Sequence, residues 1–191
     1  MNIQSMETPG RVKTEPETSA AAGFASGGPG FRLKKILVPT DFSDGSAKAV
    51  DYALAFAQPS GAEIILLHMV EPISYPIYGQ EIVADWSDIQ TDLLQASRER
   101  LAEFSQARAA GYGPLKQLIS EGTACSGILE TARSEAVDLI ILSTHGRTGI
   151  RHALLGSNTE RVVRHAPCPV LTVRERETEF INRPSYGTHL K

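Results

Sequence analysis

The sequence predicts an α/β fold: a doubly wound, five-stranded parallel sheet with helices on both faces. Three observations lead there. Short apolar runs of strand length recur five times along the chain. Stretches with apolar residues at helical spacing separate each run from the next. Breaks carrying Gly, Pro, Ser or Asn fall between them. That alternation needs crossover connections, and their right-handedness leaves only a few doubly wound topologies.

The elements follow in order. Lys34-Lys35-Ile36-Leu37-Val38-Pro39 is a short apolar run ended by proline, a first strand buried on both faces. Ser43 and Ser46 are candidate caps for a helix carrying Ala49, Val50, Ala53, Leu54 and Ala57, which Pro59-Ser60-Gly61 stops. Residues 63–70 form a second buried strand, and 72–84, with Pro72, Pro76 and Gly79, an irregular loop. Trp86, Ile89, Leu93, Leu94, Leu101 and Phe104 make the core-facing stripe of a long amphipathic helix, ended by Gly111 and Gly113-Pro114. A third strand spans 115–119, and Gly122-Thr123 leads into a helix with Ile128, Leu129 and Ala132. The fourth strand spans 137–143. A glycine-bearing loop, 144–156, leads to a helix over 157–165, and 169–173 is the fifth strand.

The composition divides the chain further. Residues 1–31 are rich in Ser, Gly, Ala, Pro, Thr and Glu, with little to bury, and read as a disordered tail. They have neither the basic start and apolar stretch of a signal peptide nor the low acid content of a transit peptide. Residues 175–191 read as a polar C-terminal tail, which leaves 32–174 as the folded domain.

The net charge of −3 excludes a globally basic nucleic-acid binder, and no apolar run is long enough to span a membrane. Cys125 and Cys168 cannot form a disulfide framework or a four-thiolate zinc site by themselves, which suits a reducing compartment. The small total conceals an uneven distribution. Between Thr144 and Arg174 lie five arginines (147, 151, 161, 164, 174) and three histidines (145, 152, 165), against the single acid Glu160. An anion site needs such a concentration, and a solvated helix face would also produce it.

Ligands of open α/β sheets sit at the carboxyl ends of the strands, where strand order reverses. Two strand ends carry suitable chemistry. The first is Pro39-Thr40-Asp41-Phe42-Ser43. The second is Ser143-Thr144-His145-Gly146-Arg147-Thr148-Gly149, whose loop closes with Gly156-Ser157. Glycines admit close backbone approach to an anion, and a helix N-terminus supplies N–H groups and a favourable dipole. Ser157-Asn158-Thr159-Glu160 also reads as a capping box. His68 reads as a satisfied histidine rather than a ligand. There is no Gly-x4-Gly-Lys-(Ser/Thr) phosphate loop, no Gly-x-Gly-x2-Gly after the first strand, and no metal-ligand cluster.

These segments resemble the universal stress protein family over 32–174. The family pattern Gly-x2-Gly-x9-Gly-(Ser/Thr) reads here Ser143-x2-Gly146-x9-Gly156-Ser157, with serine in place of the first glycine. The flanks agree: Asp138-Leu139-Ile140-Ile141-Leu142 before it, Glu160-Arg161-Val162-Val163 and Ala166-Pro167-Cys168-Pro169-Val170-Leu171 after it. The opening strand through Ser43 and the segment Leu66-Leu67-His68-Met69-Val70 match as well. The resemblance implies strand order 3-2-1-4-5, the adenine nucleotide alpha hydrolase-like arrangement. It implies ATP in the crevice between the first and fourth strands, with Mg²⁺ carried by its phosphates and waters. By position, Asp41 meets the ribose, with Pro39 and Thr40 beside the base. Met69 lines the base pocket, and Leu142 and Ser143 lie beneath the ribose. His145, Gly146, Gly156, Ser157 and Asn158 surround the phosphates. The resemblance further implies a cytoplasmic regulatory stress-response protein with little or no hydrolysis, and a homodimer through the last strand. An ATPase or nucleotide-transfer enzyme, and a nucleotide-free dimeric interaction module, are the alternatives to test against it.

Overall fold

The structure, a computed structural model, describes residues 33–72, 86–144, 156–175 and 181, with the backbone alone at 86–88. Five strands and four helices alternate: β1 (Lys35–Pro39), α1 (Asp44–Ala57), β2 (Glu63–Val70), α2 (Trp86–Ala109), β3 (Leu115–Glu121), α3 (Ala124–Ser134), β4 (Leu139–Ser143), α4 (Ser157–His165) and β5 (Val170–Val173). The strands form one sheet in the order β3-β2-β1-β4-β5, and every pairing is parallel. This is the expected architecture and strand order.

The two-residue period of a strand divides the apolar side chains between two cores. Ile36, Val38, Ile64, Leu66, Ile141 and Val173 face one side, where Val50, Tyr52 and Leu54 of α1 and Leu101 of α2 join them. Leu37, Ile65, Leu67, Ile140 and Leu142 face the other, with Ile128 and Ala132 of α3 and Val162 of α4. Burial on both faces explains why these strands are continuous apolar runs rather than alternating ones. Ile181 also packs against the α1 side.

α1 begins as expected at Ser43, whose side chain accepts from the Ser46 N–H at 3.2 Å. Ser46 is not a cap but a buried residue of the first turn, its hydroxyl donating to the Ser43 carbonyl at 2.9 Å. α1 is sunk deeply enough to bury two charged residues. Lys48 Nζ reaches the Glu175 carbonyl at 3.5 Å. Asp51 faces Arg108 of α2 at 4.0 Å.

The stripe of α2 departs from expectation. Leu101 is buried and Phe104 packs on the core, but Ile89 is 43% and Leu93 36% exposed. The cause is geometric. Ser97, Leu101, Ser105 and Ala109 continue the same i+4 row and are buried. Gln90, two turns earlier, already stands level with the end of β3, donating to Glu121 at 2.7 Å. The first turns of α2 therefore overhang the strand ends and have no sheet beneath them.

At the opposite, N-terminal end of the sheet the charges pair with one another. Asp138 Oδ2 accepts from the backbone N–H groups of Lys34 at 2.7 Å and Lys35 at 3.0 Å, joining the start of β1 to the approach to β4. Glu135 accepts from Lys116 of β3 at 2.8 Å and from Lys35 of β1 at 3.2 Å. Lys35 also lies 3.9 Å from Glu63 of β2. The hydrogen bond from Lys116, then that from Lys35, holds the Glu135 carboxyl below its ordinary range, and Glu135 in turn raises Lys116.

Candidate functional site

The site begins where the β1–β4 ladder ends. β1 and β2 pair up to Pro39↔Leu67, and β4 and β5 up to Ser143↔Val173. Between β1 and β4 the ladder holds only Ile36↔Leu139 and Leu37↔Ile140. Beyond those pairs the two central strands run on without pairing. The ladder ends where chain order reverses, with β2 and β3 on one side and β5 on the other. A doubly wound sheet opens its crevice at such a point.

One wall is the turn from β1 to α1. Thr40 is buried, and each of its polar groups has a protein partner. Its N–H donates to the Leu67 carbonyl at 2.8 Å. Its carbonyl lies 2.8 Å from His68 Nδ1. Its hydroxyl pairs with Ser46 Oγ at 3.0 Å and accepts from the Phe42 N–H at 3.0 Å. Asp41 Oδ1 accepts from the Ser43 hydroxyl at 2.6 Å and the Ser43 N–H at 3.1 Å. Asp41 thus orients the serine that caps α1 and stands half-buried at the crevice edge. Pro39, the last residue of β1, is half-buried beside it.

The other wall is the passage from β4 to α4. Thr144 N–H donates to the Val173 carbonyl at 2.9 Å, while its own carbonyl accepts from the Gly156 N–H at 2.8 Å. Thr159 Oγ1 donates to the Ser143 carbonyl at 3.0 Å. These bonds seat the N-terminus of α4 on the end of β4. A Cβ at Gly156 would come within 3.1 Å of the Thr144 carbonyl oxygen, so glycine permits the close approach here. Among the described residues, those with positive φ outside glycine are Phe42 and Ala136, and Ser143 is not one of them. Its backbone therefore needs no glycine, and the serine fits the strand end.

The expected capping box does not form. Gly156 is the N-cap of α4 and provides no side-chain cap, and Ser157 is the first helical residue. Glu160 instead accepts from Arg164 at 2.8 and 3.1 Å, one turn on. That pairing runs from an acid to a base at i+4, the orientation a helix favours. Gly156 has no side chain with which to cap the leading N–H groups of α4, and Ser157 and Asn158 are exposed beside them.

The remaining predicted residues lie on the floor or outside the described region. Leu142 is buried in the core shared by α3 and α4, and Met69, at the end of β2, packs against the same core. Met69 lies over Gly127 of α3, where a Cβ would overlap its thioether. His145 and Gly146 lie outside the described residues. Among those described, no group of three or more His, Cys, Asp or Glu residues could hold a metal ion.

Sequence reasoning missed three residues that shape this site. Gly127 was detectable, since a glycine inside a helical pattern often marks close packing. Thr159 Oγ1 binding back to Ser143 gave no sequence signal. Phe42 gave none either: its φ of +65° is unusual for any bulky residue.

The model of the universal stress protein family matches residues 32–174. The chain belongs to the universal stress protein family. Universal stress protein MJ0531 of Methanocaldococcus jannaschii is 34% identical over 146 residues, 76% of this chain and 85% of that protein. Universal stress protein A homolog 2 of Coxiella burnetii is 36% identical over 143 residues, 74% of this chain and 94% of that protein. Among solved structures, that of the protein MJ0577 has a TM-score of 0.66 at 30% identity, covering 78% of this chain and all (100%) of that one. A universal stress protein solved in complex with cAMP has a TM-score of 0.59 at 26% identity, covering 76% and 100%.

Proposed function

We propose that this universal stress protein binds an adenine nucleotide, ATP, between the C-terminal ends of β1 and β4, and acts as a regulatory protein with little or no hydrolysis. The observation that carries the reading is the end of the β1–β4 ladder at Leu37↔Ile140, beyond which two dissimilar walls follow. The Asp41 wall offers a carboxylate, an acceptor suited to ribose hydroxyls. The α4 wall offers the positive end of a helix dipole above a glycine, suited to phosphate. The distance between an anionic and a cationic wall orients the ligand, because Asp41 repels phosphate that α4 attracts. Met69 would line the base pocket, with Leu142 and Ser143 beneath the ribose. The family relative solved in complex with cAMP supports an adenine nucleotide as the ligand. Mg²⁺ would enter with the phosphates, which leave few coordination positions for protein ligands.

The same reading carries a homodimer through β5. Both β3 and β5 are sheet edges. β3 bears Lys116 and Glu121, charges that discourage pairing, whereas β5 is Val-Leu-Thr-Val and three of its residues are half-buried. No helix among the described residues is long and apolar enough to cross a membrane. Cys125 and Cys168 are unpaired, which suits a reducing cytoplasm, and burial pushes the Cys168 thiol up, so it is a poor nucleophile.

Calorimetry of the full chain with ATP and Mg²⁺ tests the reading. Saturable binding without phosphate release supports it. Turnover at the rate of a true enzyme replaces the regulatory role with an ATPase or transferase. A folded chain that takes up no nucleotide leaves the dimeric interaction module. Light scattering at low concentration tests the dimer, and a monomer rejects it.

A further inference from the structure

We infer that His68 is a positioning residue that holds the β1–α1 turn in the shape needed to meet a nucleoside. The inference rests on the proposed nucleotide function and names what keeps that site in shape. It starts from Phe42. A bulky residue at φ +65° is strained, and it persists only where its surroundings over-determine it. Here they do. The Phe42 N–H is taken by Thr40 Oγ1 at 3.0 Å. Its ring lies 4.3 Å, centroid to centroid, from the His68 imidazole and meets the edge of Phe104 at 5.6 Å. The Arg100 guanidinium sits 4.6 Å over it.

His68 differs from the other two partners of the ring in also gripping the backbone. The Thr40 carbonyl can only accept, so His68 Nδ1 carries the hydrogen and donates across 2.8 Å. Thr40 and Phe42 flank Asp41, and His68 holds both: one by a hydrogen bond, the other by ring contact. Asp41 is therefore fixed from behind. His68 does not need to touch the ligand. Neighbouring strand residues face opposite ways, so Met69 turns to α3 while His68 turns to Phe42 and α2. A leucine at 68 would fill the space and leave the Thr40 carbonyl without its donor.

The experiment uses the full chain with His68→Leu and His68→Asn. The Asn side-chain amide stands near the Nδ1 position and restores the donor. Adenosine and ATP are titrated calorimetrically, inorganic tripolyphosphate by competition against ATP, and amide hydrogen exchange is followed without ligand. His68→Leu should fold with a modestly lowered melting temperature and weaken adenosine and ATP alike by about tenfold, the scale of one lost hydrogen bond. Tripolyphosphate affinity should stay constant, His68→Asn should recover most of the loss, and the Phe42 amide should exchange faster in His68→Leu. Unchanged nucleoside affinity in His68→Leu, an equal loss for tripolyphosphate, or unchanged exchange at Phe42 overturns the inference. If His68→Leu does not fold, His68→Asn is compared with His68→Gln, whose amide reaches the Nε2 position instead; equal affinities overturn it. A wild-type chain that binds neither adenosine nor ATP rejects the proposed function and this inference together. A wild-type chain that binds, matched by its His68→Leu variant, rejects this inference alone.

Discussion

The two ends of the sheet use polar residues in opposite ways. At the N-terminal end, Lys35, Glu63, Lys116 and Glu135 pair with one another across β1, β2, β3 and the end of α3, and Asp138 ties β1 to β4. At the C-terminal end the polar bonds stay on one side or the other of the β1–β4 boundary: Asp41 to Ser43 and Thr40 to Ser46, Leu67 and His68 on the β1 side, Thr144 to Gly156 and Val173 and Thr159 to Ser143 on the β4 side. β1 and β4 are tied together at one end and unpaired at the other. A parallel sheet sends all its strand ends the same way, so one end can be closed for stability while the other stays open for a ligand. The contrast implies that N-terminal substitutions change stability and leave affinity alone, whereas C-terminal ones do the reverse.

Leu37→Ala should break the contrast altogether. Leu37 is fully buried on β1 between Ile65 and Ile140, its ladder partners. Its loss should cost about 2–5 kcal/mol in urea unfolding and disturb both ends together. Asp138→Ala should sharpen the contrast. Two backbone N–H groups lose their acceptor, so stability should fall by about 1–2 kcal/mol with nucleotide affinity constant. A drop in affinity would mean that the two ends are coupled through β1. Asp41→Ala should show the reverse pattern. ATP binding should weaken by about tenfold, equivalent to about 1.4 kcal/mol. Its thermal shift should be smaller than that of Asp138→Ala.

The smallest effect concerns pH. Glu135 has its folded pKa depressed by Lys116 and Lys35, so its contribution is present above the ordinary carboxylate range. It is lost as pH falls through the depressed value. Lys116, raised by Glu135, contributes below the ordinary lysine range and loses that contribution as pH rises through the raised value. Glu135→Gln should therefore flatten the acid limb of the stability–pH curve, and added salt should shrink the difference from wild type. An unchanged acid limb would remove these ion pairs from the account of the closed end.

Most of the fold was legible because its signals are local. Lys35–Pro39 and Glu63–Val70 stand within a residue of where apolar runs and proline placed them. Helix α4 spans Ser157–His165, as its spacing predicts. The errors came where a local pattern met a tertiary fact. The row through Ile89 and Leu93 reads as core, but periodicity does not tell where the sheet ends. Ser157 and Glu160 read as a reciprocal cap, but the Gly156 N–H bonds to Thr144, which places the cap one residue earlier and leaves Glu160 to Arg164.

The sequence by itself determined the class of fold, the order of its elements, the family and the two strand ends proposed to meet a ligand. These depend on side-chain polarity at periods of two and 3.6 and on motifs in fixed order, all of which are properties of a chain read along its length. Tertiary structure decided which polar atoms are already engaged. Thr40 has its polar groups bound within the protein, Phe42 is held in a strained turn, and His68 reaches from β2 to the residues on either side of Asp41. Those bonds join residues distant in sequence, and they form only once packing has brought β2 against β1.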